Sequence, residues 1–169
     1  MPPQHAPARL STYLRVHENR LEGLRRQGVV LDDTLVWGSG GENEVTLSGE
    51  IACRGGIVVK VWKVLRVIDG GPVEPSSMVQ TEDYSYNAFV RGHRSFLRHD
   101  NSHPHAGHPD EHPRHEMDWR TETDLPGSPF HCGAVGWPHL DEFILEVDRW
   151  YEAHSGELPD QVATLGVRD

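Results

Sequence analysis

The stretch I-V-V-K-V-W-K-V-L-R-V-I, residues 57–68, is rich in β-branched side chains and predicts a strand of a β-sheet. An Arg-Gly-Gly turn at 54–56 precedes it, and Asp-Gly-Gly-Pro at 69–72 ends it. Lys60 and Lys63 lie three residues apart, so a regular strand puts them on opposite faces. This spacing predicts a bulge, an edge position or two partly exposed faces.

Further strands are predicted on both sides of this stretch. Residues 29–37 form a β-rich run, and a Gly-rich turn separates them from an alternating segment that contains Val45, Leu47, Ile51 and Cys53. Residues 79–90 predict another strand, in which Tyr84 and Tyr86 share one face. A turn then leads into a short strand at 95–99, so the last two strands are expected to form a hairpin.

A helix is predicted near each end of the chain. Apolar positions recur at spacings of three and four from Leu10 to Leu24, where Ser11 or Thr12 can cap the start and Gly28 follows the end. A second helix is predicted from about residue 138 to 153, with Gly156 as its stop. These elements together predict an α+β fold: an antiparallel sheet of about four to six strands, an N-terminal and a C-terminal helix, and a histidine-rich loop after the late hairpin.

Length and composition favour one domain over residues 1–169, with flexible tails at 1–9 and 157–169. The 169 residues carry a net charge of -10, which argues against a broad nucleic-acid footprint, although arginines concentrate locally at 9–26. No long apolar window and no secretory leader pattern is present, so we expect a cytoplasmic protein without a membrane partner. Cys53 and Cys132 are expected to be free thiols.

Residues 93–115, H-R-S-F-L-R-H-D-N-S-H-P-H-A-G-H-P-D-E-H-P-R-H, carry seven of the twelve histidines. Imidazole titrates near neutral pH and is the commonest metal ligand, so this stretch is where we expect function. Prolines at 104, 109 and 113 prevent the histidines from sharing one helical face. The stretch is therefore predicted to contain a loop.

The first functional hypothesis is acid-base catalysis at a phosphodiester. Metal-free RNA cleavage needs a base, an acid and a cation that stabilises the phosphorane. Arg98, His112 and His115 are suitable in type, and Asp100 could orient one imidazole. Tyr84 or Tyr86 could stack on a base or donate a hydrogen bond.

Metal binding is the second hypothesis. The spacing H-x-H-x-x-H-x-x-x-H-x-x-H offers ligands for zinc or another divalent metal, although it matches no metalloenzyme signature. The candidate ligands are His103, His105, His108, His112 and His115. A third interpretation is a hydrophilic loop with a biased composition and no site.

Four motifs in this region occur in one order: Tyr84-Ser85-Tyr86, then the segment 96–101 (F-L-R-H-D-N), then His103-Pro104-His105, and finally the segment 112–115 (H-P-R-H). In this order they resemble the TumE toxin family, which has a Y-x-Y strand followed by D-N and paired-histidine elements. The resemblance implies the toxin half of a bacterial toxin-antitoxin pair, with ribonuclease activity. The positions that fall on the family's motifs are Arg98, Asp100, Asn101, His105, His112 and His115, while Arg114 replaces the family's lysine.

The resemblance makes an endoribonuclease the leading hypothesis. In it, Arg98 binds the scissile phosphate, His112 and His115 exchange the proton, and Asp100 orients one of them. Substrate would be bound by Tyr84, Tyr86, Asn101, His105 and Arg114. No cofactor is required, and the expected partners are RNA and a cognate antitoxin or other protein. The alternative is a non-catalytic zinc-binding or protein-interaction module within a larger assembly.

Overall fold

The computed structural model describes residues 5–101 and 113–159, and within them nine strands form one sheet. The strands are β1 (Ala8–Arg9), β2 (Val30–Asp33), β3 (Val36–Gly41), β4 (Glu44–Cys53), β5 (Ile57–Val67), β6 (Met78–Val90), β7 (Ser95–Asp100), β8 (Pro113–Glu116) and β9 (Phe130–His131). The helices are α1 (Leu10–Arg26), α2 (Gly133–Gly136) and α3 (Leu140–His154). All the strand pairs are antiparallel, in the order β2-β4-β5-β6-β7-β8-β9, with β1 beside β6 and β3 beside β4.

The predicted sheet of about four to six strands between two helices is wrong, because the chain is mostly antiparallel sheet with nine strands. The run at 29–37 is divided into β2 and β3, which pair with different parts of β4. β1 and β9 have two residues each and β8 has four, which is too short for an alternating pattern to be visible. The strands β1, β8 and β9 therefore come from segments without a sequence signal, and β3 comes from the division of one predicted strand.

The stretch at 57–68 forms β5, an interior strand rather than an edge. β5 pairs with β4 without interruption from Cys53↔Ile57 to Glu44↔Arg66, and its other side pairs with β6. The irregularity between β5 and β6 lies at Val64/Leu65, beyond both lysines. Lys60 is exposed, whereas the side chain of Lys63 is buried on the face that carries the core.

Both long helices pack on one face of the sheet. Leu21 and Leu24 of α1, and Phe143 and Ile144 of α3, join a core cluster with the inward-facing side chains of the central strands. The predicted helices are thus confirmed as α1 and α3, although neither Ser11 nor Thr12 caps α1. We call this side of the sheet the inner face, and the opposite side the outer face.

The turn between β4 and β5 fits closely against α3. Gly55 adopts a positive φ of 77°, and a Cβ at this position would collide with the ring of Tyr151. Arg54 beside it bonds Asp148 with an Nε to Oδ1 distance of 2.5 Å. A glycine is therefore required here for two reasons, the backbone conformation and the closeness of the helix.

Segments predicted as tails take part in the fold where they are described. Ala8 pairs with Val79, and Leu158 packs against the core cluster. Cys53 and Cys132 are free, and burial raises the pKa of Cys53 to about 12. In the part of the chain that the structure describes, no helix has the length and apolar character needed to cross a membrane.

Candidate functional site

A continuous polar row crosses the outer face of the sheet. Glu50, Lys60, Asn87, Arg98 and His115 are successive Cα partners on β4, β5, β6, β7 and β8. Directly opposite residues on antiparallel strands have Cβ atoms about 4.5–5.5 Å apart and point to the same face. Arg98 of the predicted strand at 95–99 and His115 at the far end of the histidine-rich stretch are therefore immediate neighbours.

A shallow depression of about 410 Å³ lies along this row. Lys60, Asn87 and Arg98 line it together with Trp62, whose side chain is 45% exposed. Trp62 lies in the adjacent row and pairs with Ser85, which in turn pairs with Asp100. The outer face thus combines cationic groups with an exposed aromatic ring.

Arg98 is anchored by a buried carboxylate. Its Nε donates to Oδ2 of Asp100 over 2.8 Å, and Asp100 is only 1% exposed. The other carboxylate oxygen, Oδ1, has no hydrogen-bond partner among the described residues. Because one charge-assisted hydrogen bond fixes the guanidinium at Nε, its terminal amino groups are left for an anion on the outer face.

His115 has a different carboxylate partner. Its Nδ1 lies 3.1 Å from Oδ1 of Asp124, and the hydroxyl of Ser128 donates to the same oxygen over 2.9 Å. The hydrogen bond with His115 lowers the pKa of the Asp124 carboxyl below its ordinary value. The predicted orienting role of Asp100 toward a histidine is therefore not observed at His115, where Asp124 occupies that position.

Sequence reasoning missed Asp124 because it lies in an irregular Gly- and Pro-rich segment. Met117 forms an isolated bridge with Asp124, which brings the carboxylate back beside β8. The backbone N–H of Glu116 donates to Ser128 over 3.0 Å and ties the same segment to the strand. No local pattern in the sequence signals these long-range contacts.

Tyr84 and Tyr86 lie on the inner face and not beside Arg98. Both are fully buried: Tyr84 stacks on Trp137 with ring centroids 4.3 Å apart, and Tyr86 packs against Phe143. Burial raises the pKa of Tyr86 to about 12. Their predicted stacking on a base does not fit this placement, since strand alternation turns both rings into the core.

Asn101 and Arg114 also make contacts that hold the fold. The Nδ2 of Asn101 donates to the carbonyl of Glu82 over 2.9 Å, and its Oδ1 accepts from the backbone N–H of Tyr84 over 2.8 Å. Arg114 lies on the inner face, where it pairs with Glu146 of α3. Neither side chain points to the polar row, so their predicted substrate contacts are not observed there.

The remaining predicted site residues, His103, His105, His108 and His112, lie outside the described residues. Their chain segment connects β7 to β8, the two strands that carry Arg98 and His115. Over 5–101 and 113–159, no group of three or more His, Cys, Asp or Glu side chains is arranged to hold a metal ion.

The described part of the outer face can bind an anion at Arg98 and transfer a proton at His115. An imidazole whose Nδ1 meets a carboxylate has its tautomer and orientation fixed, which leaves Nε2 for a substrate.

Comparison of the chain with family models, with curated proteins and with solved structures finds no match.

Proposed function

We propose that the protein is a toxin-like endoribonuclease that binds and cleaves single-stranded RNA on the outer face of its sheet. The observation that carries the proposal is the direct pairing of Arg98 with His115 across β7 and β8, each held by its own carboxylate. The motif resemblance to the TumE toxin family supports the same reaction class. A cognate antitoxin as partner and a cytoplasmic location belong to this proposal.

Each group has one role in the proposed reaction. The Arg98 guanidinium binds the scissile phosphate and stabilises the negative charge that develops on it. Trp62 stacks on a base, and Lys60 contacts a neighbouring phosphate. Because the polar row also contains Glu50, charge alone gives weak attraction, and stacking contributes much of the binding.

His115 transfers a proton in cleavage of the phosphodiester. The ribose 2′-oxygen bonds to phosphorus as its proton passes to a base, and the bond from phosphorus to the 5′-oxygen breaks as that oxygen takes a proton from an acid. His115 performs one of these transfers, and His112 stays the predicted group for the other. The products are a 2′,3′-cyclic phosphate and a 5′-hydroxyl.

The direct test is cleavage of labelled RNA oligonucleotides by the purified protein, with and without chelator. We expect cyclic-phosphate ends in both conditions. His115→Asn and Arg98→Ala should each lower kcat/KM by about 100-fold or more, the usual size of an acid-base or oxyanion-stabilising contribution. Arg94→Ala is the matched control, because this exposed arginine lies at the opposite end of the β6–β7 hairpin.

Two results would reject the proposal. One is RNA that stays intact with and without divalent metals, and the other is a His115→Asn variant that cleaves as fast as wild type. Elemental analysis on the same preparation addresses the zinc-module alternative, which requires stoichiometric zinc and loss of thermal stability with chelator.

A further inference from the structure

A second cavity lies on the inner face, away from Arg98 and His115. It encloses about 180 Å³ between α1, the start of β6, the segment before β1 and the first turn of α3. Lys63 of β5 lines it, as do Tyr13 of α1 and Asp141 of α3. The proposed ribonuclease site uses none of these groups.

The ammonium group of Lys63 is the unusual feature of this cavity. The lysine is 3% exposed, and no described carboxylate lies within ion-pair distance of it. Its Nζ lies 5.0 Å from the ring centre of Tyr13 and 5.9 Å from that of Trp137. A buried charge without a counter-ion is costly, and cation–π contacts compensate for only part of the lost hydration.

The polar groups near the lysine are neutral. Burial lowers the pKa of Lys63, but the oxygens of Tyr86 and Tyr13 beside the ammonium outweigh it and raise the pKa above its ordinary value. The hydroxyl of Tyr86 is buried beside the lysine, and Tyr86 does not line the cavity. The ammonium of Lys63 is therefore the group that an incoming acceptor meets in the cavity.

The surrounding charges limit the ligand to a monoanion. Arg20 at the rim is balanced by Asp141, whose Oδ1 lies 3.6 Å from the guanidinium. Burial holds the pKa of both His5 and His17 at about 4, so these lining imidazoles are neutral at pH 7. Of the lining lysine and arginine, only Lys63 has no described carboxylate partner, so a phosphate ester with two negative charges would bring one more than this ammonium balances.

Size and lining define the rest of the ligand. Val16, Leu21 and Leu140 give part of the cavity an apolar wall. The volume is below the roughly 300 Å³ at which pockets for drug-sized molecules begin, so the ligand is small. An apolar body with one negative head group fits these walls.

We propose that this cavity binds a small organic monocarboxylate, with its carboxylate on the ammonium of Lys63 and its hydrocarbon part against α1. Benzoate is a suitable probe because it combines one carboxylate with a compact apolar ring. Benzyl alcohol has a similar shape without the charge and serves as the matched ligand control.

Calorimetric titration of the full chain with both probes tests the proposal. We expect saturable binding of benzoate, at least tenfold weaker binding of benzyl alcohol, and a benzoate-dependent rise in Tm. Lys63→Met should weaken benzoate binding at least tenfold. Lys60→Met is the matched variant, because it removes the same charge from the same strand on the outer face, and it should bind benzoate as wild type does.

Three outcomes would overturn the proposal: no saturable benzoate binding by wild type, equal binding of benzyl alcohol, or full affinity in Lys63→Met. Val16→Trp fills the cavity and leaves Lys63 in place, so loss of binding in this variant supports the site even if Lys63→Met does not fold. Arg98→Ala should leave benzoate binding unchanged, which separates this site from the proposed ribonuclease.

Discussion

Arg98 contributes to folding as well as to the proposed site, because it holds the buried carboxylate of Asp100. Replacing Arg98 by Leu leaves that carboxylate without its observed partner, which we expect to lower the free energy of unfolding by about 1–3 kcal/mol. The double variant Arg98→Leu/Asp100→Leu should recover part of the loss, since both polar groups are then absent. Urea denaturation measures both values, and an Arg98→Leu variant as stable as wild type would contradict this assignment.

In the proposed reaction Asp124 would act only through His115, so its removal should affect turnover more than binding. In the ribonuclease assay we expect Asp124→Asn to lower kcat about tenfold with little change in KM, because the imidazole loses its orienting carboxylate. Asp124→Glu should restore part of the rate. An unchanged kcat in Asp124→Asn would show that the contact of 3.1 Å is not used in turnover.

The turn between β4 and β5 provides a test of how closely a turn packs against α3. Gly55 and Gly92 have the same φ of 77°, but a Cβ at Gly92 meets open space whereas one at Gly55 meets Tyr151. We expect Gly92→Ala to cost about 1 kcal/mol from backbone strain alone. Gly55→Ala should cost about 2 kcal/mol more, because the strand or α3 must shift. Thermal unfolding of the two variants measures the difference, and equal costs would mean that Tyr151 gives way freely.

The helices and strands with a regular spacing of apolar residues could be predicted from the sequence. Both long helices repeat apolar residues every three to four positions, and β4 to β7 carry alternating or β-branched runs. The short strands β8 and β9 are defined by pairing with β7 and with each other, which is long-range information. For the same reason the spacing of Lys60 and Lys63 could not show that β5 is interior.

Part of the candidate site could also be predicted. Residue type indicated Arg98 and His115, which the fold makes neighbours, whereas Tyr84, Tyr86 and Arg114 point to the inner face. Alternation groups Tyr84 with Tyr86, but it does not tell which face of the sheet the helices cover. That information comes from the packing of α1 and α3.

The whole molecule should lose stability as pH falls from 7 toward 4, in part because His5 and His17 are buried. Their pKa values are lowered from 6.5 to about 4, chiefly by desolvation, so the unfolded chain binds more protons than the folded one between these values. This contribution is fully present well above pH 6.5 and is lost as pH falls, by about 1 kcal/mol for His17 between pH 7 and 5.5 and by less for the more exposed His5. His17→Gln should reduce the pH dependence of the free energy of unfolding, measured by urea denaturation. A pH dependence equal to that of wild type would contradict the assignment.

The long pairing of β5 on both sides has a consequence for hydrogen exchange. Nearly every backbone amide of β5 bonds to β4 or β6, while β9 has only a two-residue pairing with β8. Amides in an interior strand such as β5 exchange with solvent only when the whole domain opens, whereas amides at the edge of a sheet exchange by local fraying. The slowest amides of β5 should therefore report the global free energy of unfolding, in one measurement that serves every variant proposed above.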